Sequence, residues 1–154
     1  MVKRALFIFL SLCFAVSARA SSPMEEKEAP KKRPAIKKVI FENNGAWSKE
    51  SASSEETPED CAENFVLKES DVRQFFKVAR FSTHHEHYHD LIVSRCYAAG
   101  RVVLRDGQEA SWTIDRARLG ILQFPDDSRL YFYCGKCRNK AYMNDCDIDC
   151  INAP

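Results

Sequence analysis

The sequence has almost no net charge: 23 Lys and Arg stand against 22 Asp and Glu, giving +1 at pH 7. That excludes a nucleic-acid binder working through a strongly basic surface. It has no GxSxG and no glycine-rich phosphate loop, so the common serine-hydrolase and nucleotide-binding signatures are absent. It has no internal repeat, and beyond residue 20 no apolar run of membrane-spanning length. What it has in quantity is cysteine, seven in 154 residues, together with a hydrophobic fraction of 45% that excludes collagen-like and wholly disordered classes.

Residues 1–20 read as a secretory signal peptide. Lys3 and Arg4 make a positive start, Ala5 to Val16 is an apolar run, and Ala18-Arg19-Ala20 supplies small residues before a cut after Ala20. The run is too short for a membrane anchor and is interrupted by Ser11 and Ser17. Cys13 follows Leu12 inside the apolar core, which does not suit a lipoprotein signal. Cleavage removes Lys3, Arg4 and Arg19, leaving 20 basic against 22 acidic residues, a net −2. It also removes Cys13 and leaves Cys61, Cys96, Cys134, Cys137, Cys146 and Cys150. An even number in an exported chain predicts disulfides and a periplasmic or secreted location. Six cysteines allow fifteen connectivities, and spacing does not choose among them.

Residues 21–60 read as a disordered or linker segment. Acids at Glu25, Glu26 and Glu28 precede a basic run at Lys31, Lys32, Arg33, Lys37 and Lys38, and residues 48–60 are mostly Ser, Glu and Pro. The basic run could meet an anionic surface, but self-cancelling charge blocks in a solvated spacer explain it more simply. Val39-Ile40-Phe41 is an apolar patch able to dock on the domain or on a partner.

Residues 61–154 read as one small domain. Val72, Phe75, Phe76 and Ala79 form a single helical stripe, with Ser70 as amino-terminal cap and an end near Arg80. The period then changes to two. Leu91 to Val93 is a short apolar run, and Val102 and Leu104 share a face. Asp106-Gly107 is a hairpin turn, after which Ala110, Trp112 and Ile114 alternate with Ser111, Thr113 and Asp115. A strand from Gly120 to Phe124, a turn at Pro125 to Ser128 and alternation through Leu130, Phe132 and Cys134 complete an antiparallel meander. The expected fold is α+β: one amphipathic helix packed on a β-meander, stapled by disulfides.

Three groups carry possible chemistry. Cys134-Gly135-Lys136-Cys137 has the spacing of a redox dithiol, but only 17 residues follow it and a meander precedes it, unlike a thioredoxin-type frame. With Cys146 and Cys150 the same pair could give zinc four thiolates, although behind a signal peptide oxidation competes for them. All four histidines fall in His84-His85-Glu86-His87-Tyr88-His89-Asp90. On a strand His85, His87 and His89 would share a face and could present imidazoles to zinc or copper; otherwise the stretch is a polar connection. Asp145, Asp147 and Asp149 imitate the start of a calcium loop, but Cys150 stands where glycine is needed.

From Cys61 to Cys137, about half the chain, the sequence resembles an uncharacterised family of small exported proteins of proteobacteria. The residues that carry the resemblance are Asp71-Val72-Arg73-Gln74-Phe75-Phe76, His89-Asp90, Cys96 with Gly100, Asp106-Gly107, Trp112 with Ile114, and Tyr131 to Cys137. It implies export and a common fold, and nothing catalytic. The resemblance does not extend to His84, His85, His87, Cys146 and Cys150. The expectation is a non-catalytic periplasmic binding protein for a protein of the cell envelope, such as an inhibitor or an immunity protein. A zinc or copper binder through the histidines and a thiol-redox accessory through Cys134 and Cys137 are the alternatives.

Overall fold

The stripe Val72, Phe75, Phe76 and Ala79 is wholly buried, as its spacing predicts. It belongs to helix α2, Glu69–Val78, in a computed structural model that describes residues 27–50 and 55–143. The helix starts one residue before Ser70, and its cap is Lys68, whose backbone N–H donates to the Asp71 carboxylate at 2.7 Å. Asp71 thus serves the cap by reaching back from the first turn, so a hydroxyl at the boundary is not required. A second helix, α1 (Pro58–Asn64), was not expected from composition. Thr57 caps it, accepting from the Asp60 N–H at 3.2 Å, and Pro58 opens it.

Six strands are formed among the described residues: four from the period-two segments, β1 from a stretch that the charge pattern hides, and β2, a three-residue strand too short to show alternation. They are β1 (Ile36–Trp47), β2 (Arg80–Ser82), β3 (Cys96–Leu104), β4 (Glu109–Asp115), β5 (Leu119–Gln123) and β6 (Arg129–Tyr133). They form one antiparallel sheet in the order β1-β3-β4-β5-β6-β2. The expected α+β class holds, with β3 to β6 as the meander and Asp106-Gly107 in the β3–β4 turn. Leu91 to Val93 contribute no strand and lie half-buried in the connection before β3.

The expectation of a linker over 21–60 is corrected by β1. Its Lys37, Lys38, Glu42 and Asn43 are exposed while Val39 is buried, as an edge strand allows. Its pairing partners lie some sixty residues on, in β3, so local composition gives no sign of them. Residues 27–35 are also engaged. Ala29 donates to the Arg129 carbonyl at 2.9 Å, and the Ala35 carbonyl accepts from Arg105 at 2.7 Å. Arg33, from the basic run, donates to the Phe76 and Ala79 carbonyls at the end of α2, where a cation complements the helix dipole.

Both helices pack on one face of the sheet. Phe76 meets Phe132 edge-on at 5.2 Å, Phe41 meets Trp112 at 5.2 Å, and Phe75 covers Gly120. The Cys61–Cys96 disulfide ties α1 to the same face of β3. Residues 1–20, with the expected leader, and Cys146 and Cys150 lie outside the described residues. No described helix is long and apolar enough to cross a membrane.

Candidate functional site on the open face of the sheet

The helix-free face carries the alternate residues of each strand: Tyr97 on β3, Thr113 on β4, Ile121 on β5, and Tyr131 and Tyr133 on β6. Over one end of it lies the histidine-rich connection. The expected strand is not formed there. Residues 84–90 turn helically, with Glu86–Asp90 closing a wide π-type turn in which the Leu91 N–H donates to the Glu86 carbonyl at 3.1 Å. The Thr83 hydroxyl caps this turn, accepting from Glu86 N–H at 3.1 Å. Arg80 pairs with Glu86 and lies 5.0 Å over the Tyr133 ring. The hydrogen bond from Arg80 holds the Glu86 carboxyl below the usual range.

Helical geometry divides the histidines that a strand would have aligned. His87 turns inward, is 5% exposed, and packs 5.1 Å from the Tyr131 ring. His84 stacks on Tyr88 at 4.7 Å, one turn away. His85 and His89 point outward together, their ring centroids 4.7 Å apart. Three imidazoles on one face therefore do not occur; His85 and His89 are brought together and His87 is not. Beneath the turn is a groove of about 260 Å³ lined by His87, Tyr88, Tyr97, Thr113, Asp115 and Ile121. Tyr88, 46% exposed, forms its outer lip.

Asp115 was legible only as a polar residue on the solvent side of β4, yet it is the buried anchor of this region. Its carboxyl accepts from the Leu119 N–H at 2.8 Å and the Ser94 N–H at 3.1 Å. Burial outweighs these bonds and pushes it up to about 8. Because the folded value lies above the unfolded one, this group stabilises the fold fully below about pH 4. The stabilisation is lost as pH rises to about 8, at a slope of at most about 1.4 kcal/mol per pH unit. Urea unfolding across that range should show stability falling with pH, and Asp115→Asn should remove the slope. An unchanged slope in the variant would assign it to other groups.

A second concavity, about 720 Å³, lies between residues 29–35 and the turns that join β3 to β4 and β5 to β6. Leu104, Phe124 and Leu130 form its apolar floor. Arg33 at its rim is already engaged on the end of α2.

The four cysteines among the described residues form two bridges, Cys61–Cys96 and Cys134–Cys137. The second removes two of the four thiolates that a zinc knot would need. Cys134 lies just past the end of β6 in a turn, and both of its bridge residues are buried, an arrangement that braces a loop. It lacks the helix amino terminus that activates a redox cysteine. Glu56, Asp60 and Cys96 also approach one another. The Cys96 sulfur is in a disulfide and Arg116 sits on both carboxylates, at 2.7 Å from Asp60 and 3.4 Å from Glu56, so the cluster is an ion-pair network. Comparisons with protein-family models, with curated proteins and with solved structures each found no match.

Proposed function

We propose that this chain is an exported, non-catalytic binding protein that holds a protein of the cell envelope on the open face of its sheet. One observation carries this reading: both helices cover one face, and the other presents Tyr88, Tyr97, Ile121 and Tyr133 half-buried to exposed. Aromatic side chains on a rigid scaffold are the usual anchors of protein interfaces, combining large contact area with little loss of conformational freedom. The Arg80–Glu86 ion pair, with its guanidinium over Tyr133, adds a polar rim to the patch. The charged start and short apolar core of the leader support export, and two disulfides suit an oxidising compartment. Inhibition of an envelope-acting enzyme, or immunity against a toxin delivered there, fits a small braced domain with such a surface.

The test is affinity for a partner purified from the periplasm, measured with variants on the two sides of the sheet. Tyr88→Ala and Tyr133→Ala should each weaken binding by about thirtyfold, the equivalent of roughly 2 kcal/mol for an aromatic anchor. Lys77→Ala, exposed on α2, should leave it unchanged. Equal retention by the tyrosine variants and the native chain would move the interface elsewhere.

A further inference from the structure

We propose that the groove beneath the histidine-rich turn, with Asp115 at its floor, receives one basic side chain, a lysine or an arginine, of the partner protein. This deepens the reading of the open face as a partner surface and rests on it. The groove lies within that face: Tyr88 is its outer lip, and Tyr97 and Ile121 are among its walls. Its volume of about 260 Å³ is below the roughly 300–1,000 Å³ of clefts that enclose a whole small-molecule ligand, and suits one long side chain. Pockets of this kind, central in an aromatic patch, are where the anchors of protein interfaces sit.

The charge at the floor selects the occupant. One Asp115 oxygen accepts from the Leu119 N–H and the other from the Ser94 N–H. A carboxylate has about four acceptor positions, so capacity remains for a further donor. Among the described residues no Lys or Arg pairs with it: Arg116 sits on Glu56 and Asp60, and Arg118 donates to the Gly135 and Met143 carbonyls. Glu56 grips Ser94 from the other side, accepting from its hydroxyl at 2.6 Å and from the Arg95 N–H at 2.8 Å, so a second carboxylate adds negative potential. A buried carboxylate without a cation is unfavourable, and a partner's cation supplies what the fold does not. The apolar walls suit a lysine or arginine stem, which lies along apolar surface while its charged head reaches a polar group. Thr113, two residues back on the same face, lines the groove and offers a hydroxyl acceptor beside it.

The empty carboxyl is protonated at neutral pH, so the cation enters in exchange for that proton, which leaves to solvent. Affinity therefore rises with pH up to about 8. The other titratable and charged groups around Asp115 are Glu56, His87, Tyr97, Arg116, Arg118 and Tyr142. Histidine is the one of these types whose ordinary range lies near neutrality, so His87 enters the test.

The full chain with its disulfides intact should be titrated with Nα-acetyl-lysine amide and Nα-acetyl-arginine amide, and with uncharged Nα-acetyl-norleucine amide, following the methyl NMR signals of Thr113 and Ile121. At pH 8.5 at least one cation should bind at least about tenfold more tightly than norleucine, and at pH 6.5 that cation should weaken at least about tenfold. Asp115→Asn should reduce it to the norleucine level, and His87→Gln should keep the rise with pH. Equal affinity for norleucine and both cations in the native chain would overturn the proposal without recourse to any variant. A rise with pH that is lost in His87→Gln would overturn Asp115 as the receiving group. With the periplasmic partner, Asp115→Asn should weaken binding at least about tenfold at pH 8.5. If Tyr88→Ala and Tyr133→Ala weaken the partner and Asp115→Asn does not, the basic anchor is refuted and the partner face stands. If the lysine probe binds while the partner ignores Tyr88 and Tyr133, the partner face is refuted, and with it the occupant named here.

Discussion

Replacing Cys61 and Cys96 together by alanine is expected to lower unfolding stability by about 4 kcal/mol, whereas replacing Cys134 and Cys137 should cost about 2 kcal/mol. The difference follows from the chain each bridge closes. Cys61 and Cys96 are 35 residues apart, and Cys134 and Cys137 are three apart. A cross-link acts chiefly on the unfolded chain, and the entropy it removes rises with the logarithm of loop length. The first bridge also joins α1 to β3, and both of its residues are fully buried, so its removal unmoors α1 from the sheet. A domain of this size has a total stability of roughly 5–15 kcal/mol, so a loss of about 4 leaves a small margin. Urea titration of the two double variants at one temperature decides the matter. Equal losses would show that native packing around the sulfurs, and not loop closure, governs both values.

The parts of the fold that were legible in the sequence are those whose signal is local. The α2 stripe needs only ten residues to declare itself, and β4 shows its two faces through Ala110, Trp112 and Ile114 against Ser111, Thr113 and Asp115. β1 was not legible, because its stability is non-local. Lys37, Lys38, Glu42 and Asn43 look like solvated chain until β3 is placed beside them. Helix α1 did carry a signal, Thr57-Pro58-Glu59-Asp60, a capping residue followed by proline and first-turn acids. The Ser- and Glu-rich composition around it obscured that signal.

The histidine stretch holds two periodicities at once, and this made its structure ambiguous. Residues 85, 87 and 89 alternate as on a strand, while the pairs 84–88 and 85–89 are spaced as on a helix. The helical pairing wins because the stretch is capped by Thr83 and tied by Arg80 to Glu86, contacts that an extended chain would not make. Asp115 was placed on the correct side of β4 from its alternation. Its burial depends on the connection through Ser94 folding back over it, which the sequence does not announce. The cysteine pairing likewise awaited the fold, since Cys61 finds Cys96 only once α1 lies on β3.

Gly100→Ala is expected to cost about 3–5 kcal/mol, more than any other single glycine-to-alanine change in the sheet, through a backbone crossing at the β1 bulge. A Cβ at position 100 would lie 2.0 Å from the Ile40 carbonyl oxygen and 3.0 Å from its carbon, both of them backbone atoms with no rotamer to escape into. That oxygen accepts a hydrogen bond from Trp112 Nε1 at 3.3 Å, over the top of Gly100. The pairing register of β1 on β3 shifts immediately afterwards, between Phe41 and Asn43. The glycine thus gives the Ile40 carbonyl the space to reach the indole N–H, and a methyl there would force strand and indole apart. Two part-buried polar groups would lose their partner, adding to the steric cost. Gly120→Ala is the informative contrast. Its Cβ would meet the Phe75 ring at 2.4 Å, but a ring can swing aside, so about 1–3 kcal/mol is expected. Because Gly100→Ala and Trp112→Phe both break the same hydrogen bond, the double variant should lose less than the two single losses added together. Chemical denaturation of the three single variants and the double variant provides the comparison. A loss below about 1 kcal/mol for Gly100→Ala, or full additivity with Trp112→Phe, would refute this account of how β1 joins the sheet.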